Sequence, residues 1–408
     1  MTRLVCLALV SALGAGLSAQ DKQKPLTPTP VAAAEGSSPL FNGKNLDGWV
    51  NVNCHPSTFY VKNGEIVTTG QPTGFLRTDK QYENFVLEMD WMHVNKKEIA
   101  NSGLFVWGDP LPAVGTPYTR GIEVQVLINY PKVDWATNHG DIFSIHGAHC
   151  KPDRPHPKGY ERCLPSEERV KGAGEWNHYK VTANNGAIKL EVNGKEVSGV
   201  SQCNPRKGYL ALESEGAECH FKNIVIKELP STNPKPEECA NVAEGFKSLF
   251  NGLDLKGWKT EKDGWKVAGG RLVALGKDNL KTEKKYGPCE LIFDWSMPAK
   301  ADGTCAVNVS GVDCTVLPKG AGVAFDPSAW KSVQKGRDPF AKKGVWNRSA
   351  VRFDGTNFSF AVNGVRVAAL EAQKPVEPKT IWIADQFDTS NTGLEIMNVF
   401  VRELKEKK

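Results

Sequence analysis

The residues best suited to chemistry fall between Asn101 and His156. In Gly121-Ile-Glu-Val-Gln-Val-Leu127, Ile122, Val124 and Val126 alternate with Glu123 and Gln125. Side chains of a strand point alternately to its two faces, so Glu123 and Gln125 share one face, about 7 Å apart. A carboxyl can pass a proton and an amide can orient a hydroxyl, a pairing that suits a sugar. The alternative is an ordinary solvent-facing strand. Downstream, Gly140-Asp-Ile-Phe-Ser-Ile-His146 ends a short apolar run on an imidazole. His146 is a candidate general base, because histidine titrates nearest neutrality. Asp141 and Glu123 could join it around a divalent cation, but no established ligand spacing is met and the metal stays unknown.

Weaker candidates surround this set. Asn101 opens Asn-Ser-Gly-Leu-Phe-Val-Trp107, and it and Asp141 are expected to touch substrate. Arg77, Arg120 and Arg162 could hold a substrate oxygen or an enolate, with surface ion pairs as the alternative. Trp107 and Trp135 could stack on a sugar ring or pack in a core. Glu213 and Glu215 share one strand face in Leu-Glu-Ser-Glu-Gly216, bordering the same cleft or facing solvent. His149 and His156, within Cys150-Lys-Pro-Asp-Arg-Pro-His-Pro-Lys158, read as solvated loop residues.

These residues sit in the first of two related halves. Leu40–Trp49 (LFNGKNLDGW) recurs as Leu249–Trp258 (LFNGLDLKGW), and Leu87–Trp91 (LEMDW) as Leu291–Trp295 (LIFDW). GEWN at Gly174–Asn177 recurs as GVWN at Gly344–Asn347, EVNGKEV as AVNGVRV, and FKNIVIKEL as IMNVFVREL. Five matches in one order indicate duplication. Trp49, Trp91 and Trp176 recur and read as structural. The second copy is 34 residues shorter between its Asp-Trp and its Gly-x-Trp-Asn, where the first copy holds four of its eight histidines. The first copy therefore reads as the working one and the second as a degenerate partner or binding module.

Alternating strands and Asn-Gly turns predict short antiparallel strands, hence a β-sandwich or jelly roll in each half. The 408 residues carry 51 basic and 46 acidic side chains, a balance that argues against nucleic acid or a membrane surface. Residues 1–19 read as a secretory signal peptide, too short to span a membrane, so the protein is expected to be secreted or periplasmic. Residues 20–38 follow as a flexible tether and 230–244 as a linker, leaving sandwiches at 39–229 and 245–408. Outside the leader nine cysteines remain, with no Cys-x-x-Cys. In an oxidising compartment several are expected to pair, with one left over.

Taken in order, Phe41–Trp49, Tyr82–Trp91, Asn101–Gly103, Glu123-x-Gln125, Gly140–Phe143, Gly174–Asn177 and the Val-Asn-Gly turn make the first half resemble the 3-keto-disaccharide hydrolase domain. The second half resembles it weakly. The resemblance implies an all-β protein of two tandem concanavalin-like jelly rolls. It also implies hydrolysis, or elimination followed by hydration, of glycosides oxidised at C3. A C3 ketone acidifies the C2 hydrogen, so the site needs a base, a donor for the enolate and an acid for the leaving group. His146 is expected as base, Glu123 as acid or metal ligand, and Gln125, Arg120 or a bound cation as enolate partner. The substrate partner is then a 3-keto disaccharide or glycoside. Two other readings compete. A glycan-binding module without catalysis could use the same fold, and a retaining glycosidase could use Glu123 with Asp141 or Glu215 at about 5–5.5 Å.

Overall fold

Period-two alternation becomes strands throughout the computed structural model, which describes residues 35–131, 133–298, 305–317, 320–335, 341–385 and 393–405. Strand Asn177–Asn184 alternates between buried and partly exposed positions along its whole length. It turns into Ala187–Val192 through Asn185 and Gly186, both at positive φ, and Ala187–Val192 turns into Lys195–Asn204 through Asn193 and Gly194 at φ +48° and +86°. These left-handed pairs are what a two-residue hairpin requires. The leader and residues 20–34 of the tether lie outside the described residues.

The first half is two antiparallel sheets packed face to face. The larger runs in the order His149–Pro152, Lys195–Asn204, Ala187–Val192, Asn177–Asn184, Phe85–His93, Cys219–Glu228, Glu65–Thr68, Phe59–Lys62, with Ser38–Pro39 also on Cys219–Glu228. The smaller runs Arg162–Cys163, Ile142–Ile145, Gly121–Ile128, Ala100–Gly108, Tyr209–Ser214, Gly74–Thr78, Trp49–Val52. Phe85, Leu87, Met89 and Trp91 from the first meet Leu104, Ile122, Val124 and Val126 from the second in one apolar core.

The second half repeats the plan. Cys289–Ser296 lies between Asn347–Phe353 and Glu395–Glu403, as Phe85–His93 lies between Asn177–Asn184 and Cys219–Glu228. Its smaller sheet has six described strands against seven, ending at Gly320–Ala324 with no counterpart of the edge strand Arg162–Cys163. Segment Pro230–Glu244 contains a 3-10 turn at Pro236–Glu238 and an isolated bridge from Cys239 to Lys207. A further apolar cluster joins the halves, with Phe75, Phe105 and Ala211 of the first against Phe246, Phe400 and the partly buried Ile292 of the second. The architecture is thus all-β, two tandem sandwiches of jelly-roll type. Among the described residues there is no α-helix, and no helix long and apolar enough to cross a membrane.

The nine described cysteines are unbonded, and eight are buried. The expected pairing is therefore not realised. Burial pushes most of these thiols up, Cys150 to about 12, as expected of small apolar packing groups.

Candidate functional site

The site lies on the outer face of the smaller sheet of the first half. Antiparallel register sets Glu123 opposite Phe105, Gln125 opposite Gly103 and Leu127 opposite Asn101, and an isolated bridge joins Asn101 to Glu215. Odd-numbered residues of three neighbouring strands therefore face one cavity of about 290 Å³, while Ile122, Val124 and Val126 face the core. Gly103 is central to this arrangement. A Cβ there would lie 2.9 Å from Glu123 Oε1 and 3.0 Å from Glu213 Oε2. Only a residue without a side chain lets two carboxyl groups lean into the same space.

A continuous hydrogen-bond chain crosses the cavity. The Tyr118 hydroxyl donates to Glu215 Oε1 (2.6 Å), and Asn101 Nδ2 donates to Glu215 Oε2. Gln125 Nε2 donates to Asn101 Oδ1 (2.7 Å) and to Ser102 O (3.2 Å). Arg162 Nη2 donates to Gln125 Oε1 (3.3 Å) while its Nε donates to Asp141 Oδ2 (2.7 Å). Asp141 is fully buried and also held by Thr137. The Arg162 guanidinium lies over the Phe143 ring, 3.9 Å from its centroid, with Trp135 at 5.3 Å. A planar cation held by a carboxylate and an aromatic face has a fixed direction.

Burial sets the protonation states. Glu123 is only 7% exposed, and its desolvation, reinforced by the charge of Glu215, pushes its carboxyl up to about 8. Glu213 is 1% exposed, and its desolvation, with the charges of Glu123 and Glu215, raises its carboxyl as well. Both are therefore neutral acids near pH 7. His146 follows strand Ile142–Ile145 at φ +50° and reaches solvent. Tyr118 stacks on it, with centroids 5.6 Å apart and planes at 10°. That partial desolvation pulls its imidazolium below the ordinary value. A neutral imidazole and a neutral carboxylic acid in one cavity can respectively accept and donate a proton.

The structure thus brings Glu123, Gln125, His146, Asn101 and Glu215 to one cavity, with Arg162 and Trp135. Asp141, expected to touch substrate, is instead fully buried behind the cavity as the anchor of Arg162. Three further expected contacts are not made. Arg120 is ion-paired with Asp109 (2.8 Å) and does not line the cavity. Arg77 is buried over the Tyr209 ring and donates to Pro110 O and Thr78 O. Trp107 lies in the core with Nε1 donating to Glu83 O. Alternation along Ala100–Gly108 would have placed Trp107 beside Asn101. An extra residue between the pairs Phe105–Ala211 and Gly108–Tyr209, with Trp107 at φ +57°, turns it inward. Among the loop histidines, His149 is exposed as expected, whereas His156 is buried against Tyr160.

Tyr118 and Tyr130, which sequence reasoning did not raise, also line the cavity. Among the described residues no group of three His, Cys, Asp or Glu is arranged around a metal, and Glu215 accepts hydrogen bonds from Tyr118 and Asn101.

A family model described as the 3-keto-alpha-glucoside-1,2-lyase-like domain matches residues 36–227 and again residues 245–397. No functionally curated protein matches the chain. Among solved structures, the chain is similar to a protein of Parabacteroides distasonis ATCC 8503 provisionally described as a glycosyl hydrolase. The identity is 26%, covering 48% of this chain and 95% of that one, with a TM-score of 0.37. A second protein of that strain with the same description is 21% identical over 47% and 99%, TM-score 0.35. A carbohydrate-binding module from Bacillus subtilis is 13% identical over 44% and 96%, TM-score 0.34.

Proposed function

Because the chain belongs to the 3-keto-alpha-glucoside-1,2-lyase-like domain family, and so to carbohydrate-acting, enzyme-like domains, we propose that its first repeat cleaves 3-keto glycosides by elimination and hydration. The observation that carries this reading is that His146 and Glu123 line one cavity, in surroundings that act on their protons in opposite directions. His146 is held below its usual range and Glu123 is raised to about 8. Pairs of titratable groups pushed apart in this way mark an acid and a base.

His146 takes the proton from C2, and the electron pair of that C–H bond becomes an enolate with the C3 oxygen. The pair then forms the C1–C2 double bond as the bond from C1 to the glycosidic oxygen breaks. Glu123 gives its proton to the departing oxygen. Hydration reverses these roles: the Glu123 carboxylate takes a proton from water as oxygen adds to C1, and His146 returns its proton to C2. The enolate needs a fixed donor. Both Gln125 Nε2 hydrogens are engaged by Asn101 and Ser102, and Arg120 is off the cavity. Arg162 therefore takes this role, with Gln125 and Asp141 fixing its plane. Trp135, 42% exposed at the rim, offers a face to a sugar ring.

Residues 1–19 make secretion part of the same proposal. The test is incubation with 3-keto-trehalose or p-nitrophenyl 3-keto-glucoside beside the unoxidised parent. Release from the keto substrate alone, lost roughly 10²–10⁴-fold in His146→Ala, is expected. Binding without turnover would return the protein to the glycan-binding reading.

A further inference from the structure

The loop that supplies Tyr118 is held by the other repeat. Gly115 N donates to Asp294 Oδ2 (3.0 Å), Arg348 Nη2 to Pro112 O (2.8 Å), and Asn398 Nδ2 to Thr116 O (2.9 Å) and Ala113 O (3.3 Å). The three clamping residues are themselves tied together. Arg348 Nε bonds Asp294 Oδ1 at 2.7 Å, and Asn398 Nδ2 bonds Asp294 Oδ2 at 2.6 Å. Asp294 and Asn398 are buried, and Asn53 of the first repeat donates to Asn398 Oδ1. Gly115, at φ +73°, lies so close to Trp346 that a Cβ would come within 2.2 Å of the indole. Within the loop, Ala113 N donates to Tyr118 O (2.8 Å), closing the turn that delivers the phenol to Glu215 and His146.

The first repeat shows what this cluster is without a loop to hold. Its equivalent positions are Asp90, His178 and Asn223. His178 and Asp90 face each other in register as Arg348 and Asp294 do. There the trio satisfies itself, with His178 Nδ1 at 2.8 Å from Asp90 Oδ1 and Asn223 Nδ2 at 2.6 Å from Asp90 Oδ2. Replacing the imidazole by a guanidinium adds donors that can hold the aspartate and reach a carbonyl on another element together. The neighbouring outward positions change in the same sense. Ile292 and Phe400 stand where the first repeat has Glu88 and Val225, and both join the apolar cluster between the repeats.

We propose that the second repeat is a positioning element of the active site, in which Asp294, Arg348 and Asn398 clamp the segment Pro112–Tyr118 and thereby hold Tyr118 against Glu215 and His146. The catalytic consequence rests on the function proposed above; the clamp does not. The full-length protein, Tyr118→Phe, Asn398→Ala, Gly115→Ala and the double variant Tyr118→Phe/Asn398→Ala would be assayed on p-nitrophenyl 3-keto-glucoside. In parallel, amide hydrogen exchange would be followed over residues 109–120. Gly115→Ala moves the loop from its own side, leaving the cluster intact. A hydrogen bond to a carboxylate corresponds to roughly a 10- to 100-fold factor. Asn398→Ala and Gly115→Ala should each lower kcat by about that much with KM within about twofold, and speed exchange of the loop. Asn398→Ala should cost nothing further once Tyr118 is Phe. Unchanged exchange in both loop variants would overturn the clamp. Losses that multiply in the double variant would overturn its link to Tyr118. If the wild type turns over no keto glycoside, the functional reading fails while the exchange data still decide the clamp.

Discussion

Replacing Glu123 by Gln should stabilise the fold while removing activity, and the size of the gain follows from the site. The Glu123 carboxyl moves from 4.5 in the reference state to about 8 when buried beside Glu213 and Glu215. A group raised on folding contributes its full stability below the unfolded value and loses it as pH climbs toward the folded value. At about 1.4 kcal/mol per pH unit, the wild type forfeits about 3 kcal/mol between pH 4.5 and pH 7. Glutamine keeps the shape and carries no proton to lose. The Glu123→Gln protein should therefore match the wild type near pH 4 and exceed it by about 3 kcal/mol at pH 7. Urea unfolding at pH 4, 5.5, 7 and 8.5 reads this directly. Activity on an alkyl 3-keto-glucoside should fall roughly 10²–10⁴-fold. A substrate with a nitrophenol leaving group, which departs without protonation, should be spared much of that loss. An advantage independent of pH, or a variant less stable than the wild type at pH 8.5, would refute the claim that Glu123 is buried as a neutral acid.

Other perturbations follow from the same geometry. The pH profile of kcat/KM should rise as His146 loses its proton, at a value below 6.5, and fall as Glu123 loses its own at about 8; a single limb would remove one partner from the mechanism. Gly103→Ala should cost about 1–3 kcal/mol and most of the activity, because its Cβ would press on Glu123 and Glu213; calorimetry with full activity retained would count against the crowding. Arg162→Lys should lower kcat more than KM changes, since one ammonium cannot hold Asp141 and Gln125 in a plane. Treatment with a reductant should leave Tm unchanged, as none of the described cysteines is bonded. A drop of several degrees would reveal a disulfide, since losing one costs about 2–5 kcal/mol.

Strand alternation was enough to put Glu123 and Gln125 on one face and Ile122, Val124 and Val126 on the other, because both faces of Gly121–Ile128 lie within regular pairing. The Asn-Gly turns likewise mark the hairpins, with Asn193 and Gly194 at positive φ. What alternation cannot see is a bulge, and one such residue turned Trp107 from the cavity to the core. Nor could composition rank three arginines. Arg162 reaches the site only because an edge strand, without counterpart among the described residues of the second repeat, lays it beside Phe143. Tyr118 lies in a loop without periodicity, and its place depends on a repeat more than a hundred residues away in sequence. A trace of that dependence is nevertheless present in LIFDW, where Ile292 occupies an outward position that Glu88 fills in LEMDW. An apolar residue on the polar face of a strand asks for a partner.

The central claim is that bond cleavage begins with removal of the C2 hydrogen from a 3-keto sugar. It is tested most directly by comparing p-nitrophenyl 3-keto-glucoside carrying hydrogen or deuterium at C2, under single-turnover conditions. The account predicts slower release from the deuterated substrate, by about twofold or more, and no release from the unoxidised glucoside. Equal rates for the two isotopologues, together with cleavage of the ordinary glucoside, would contradict it.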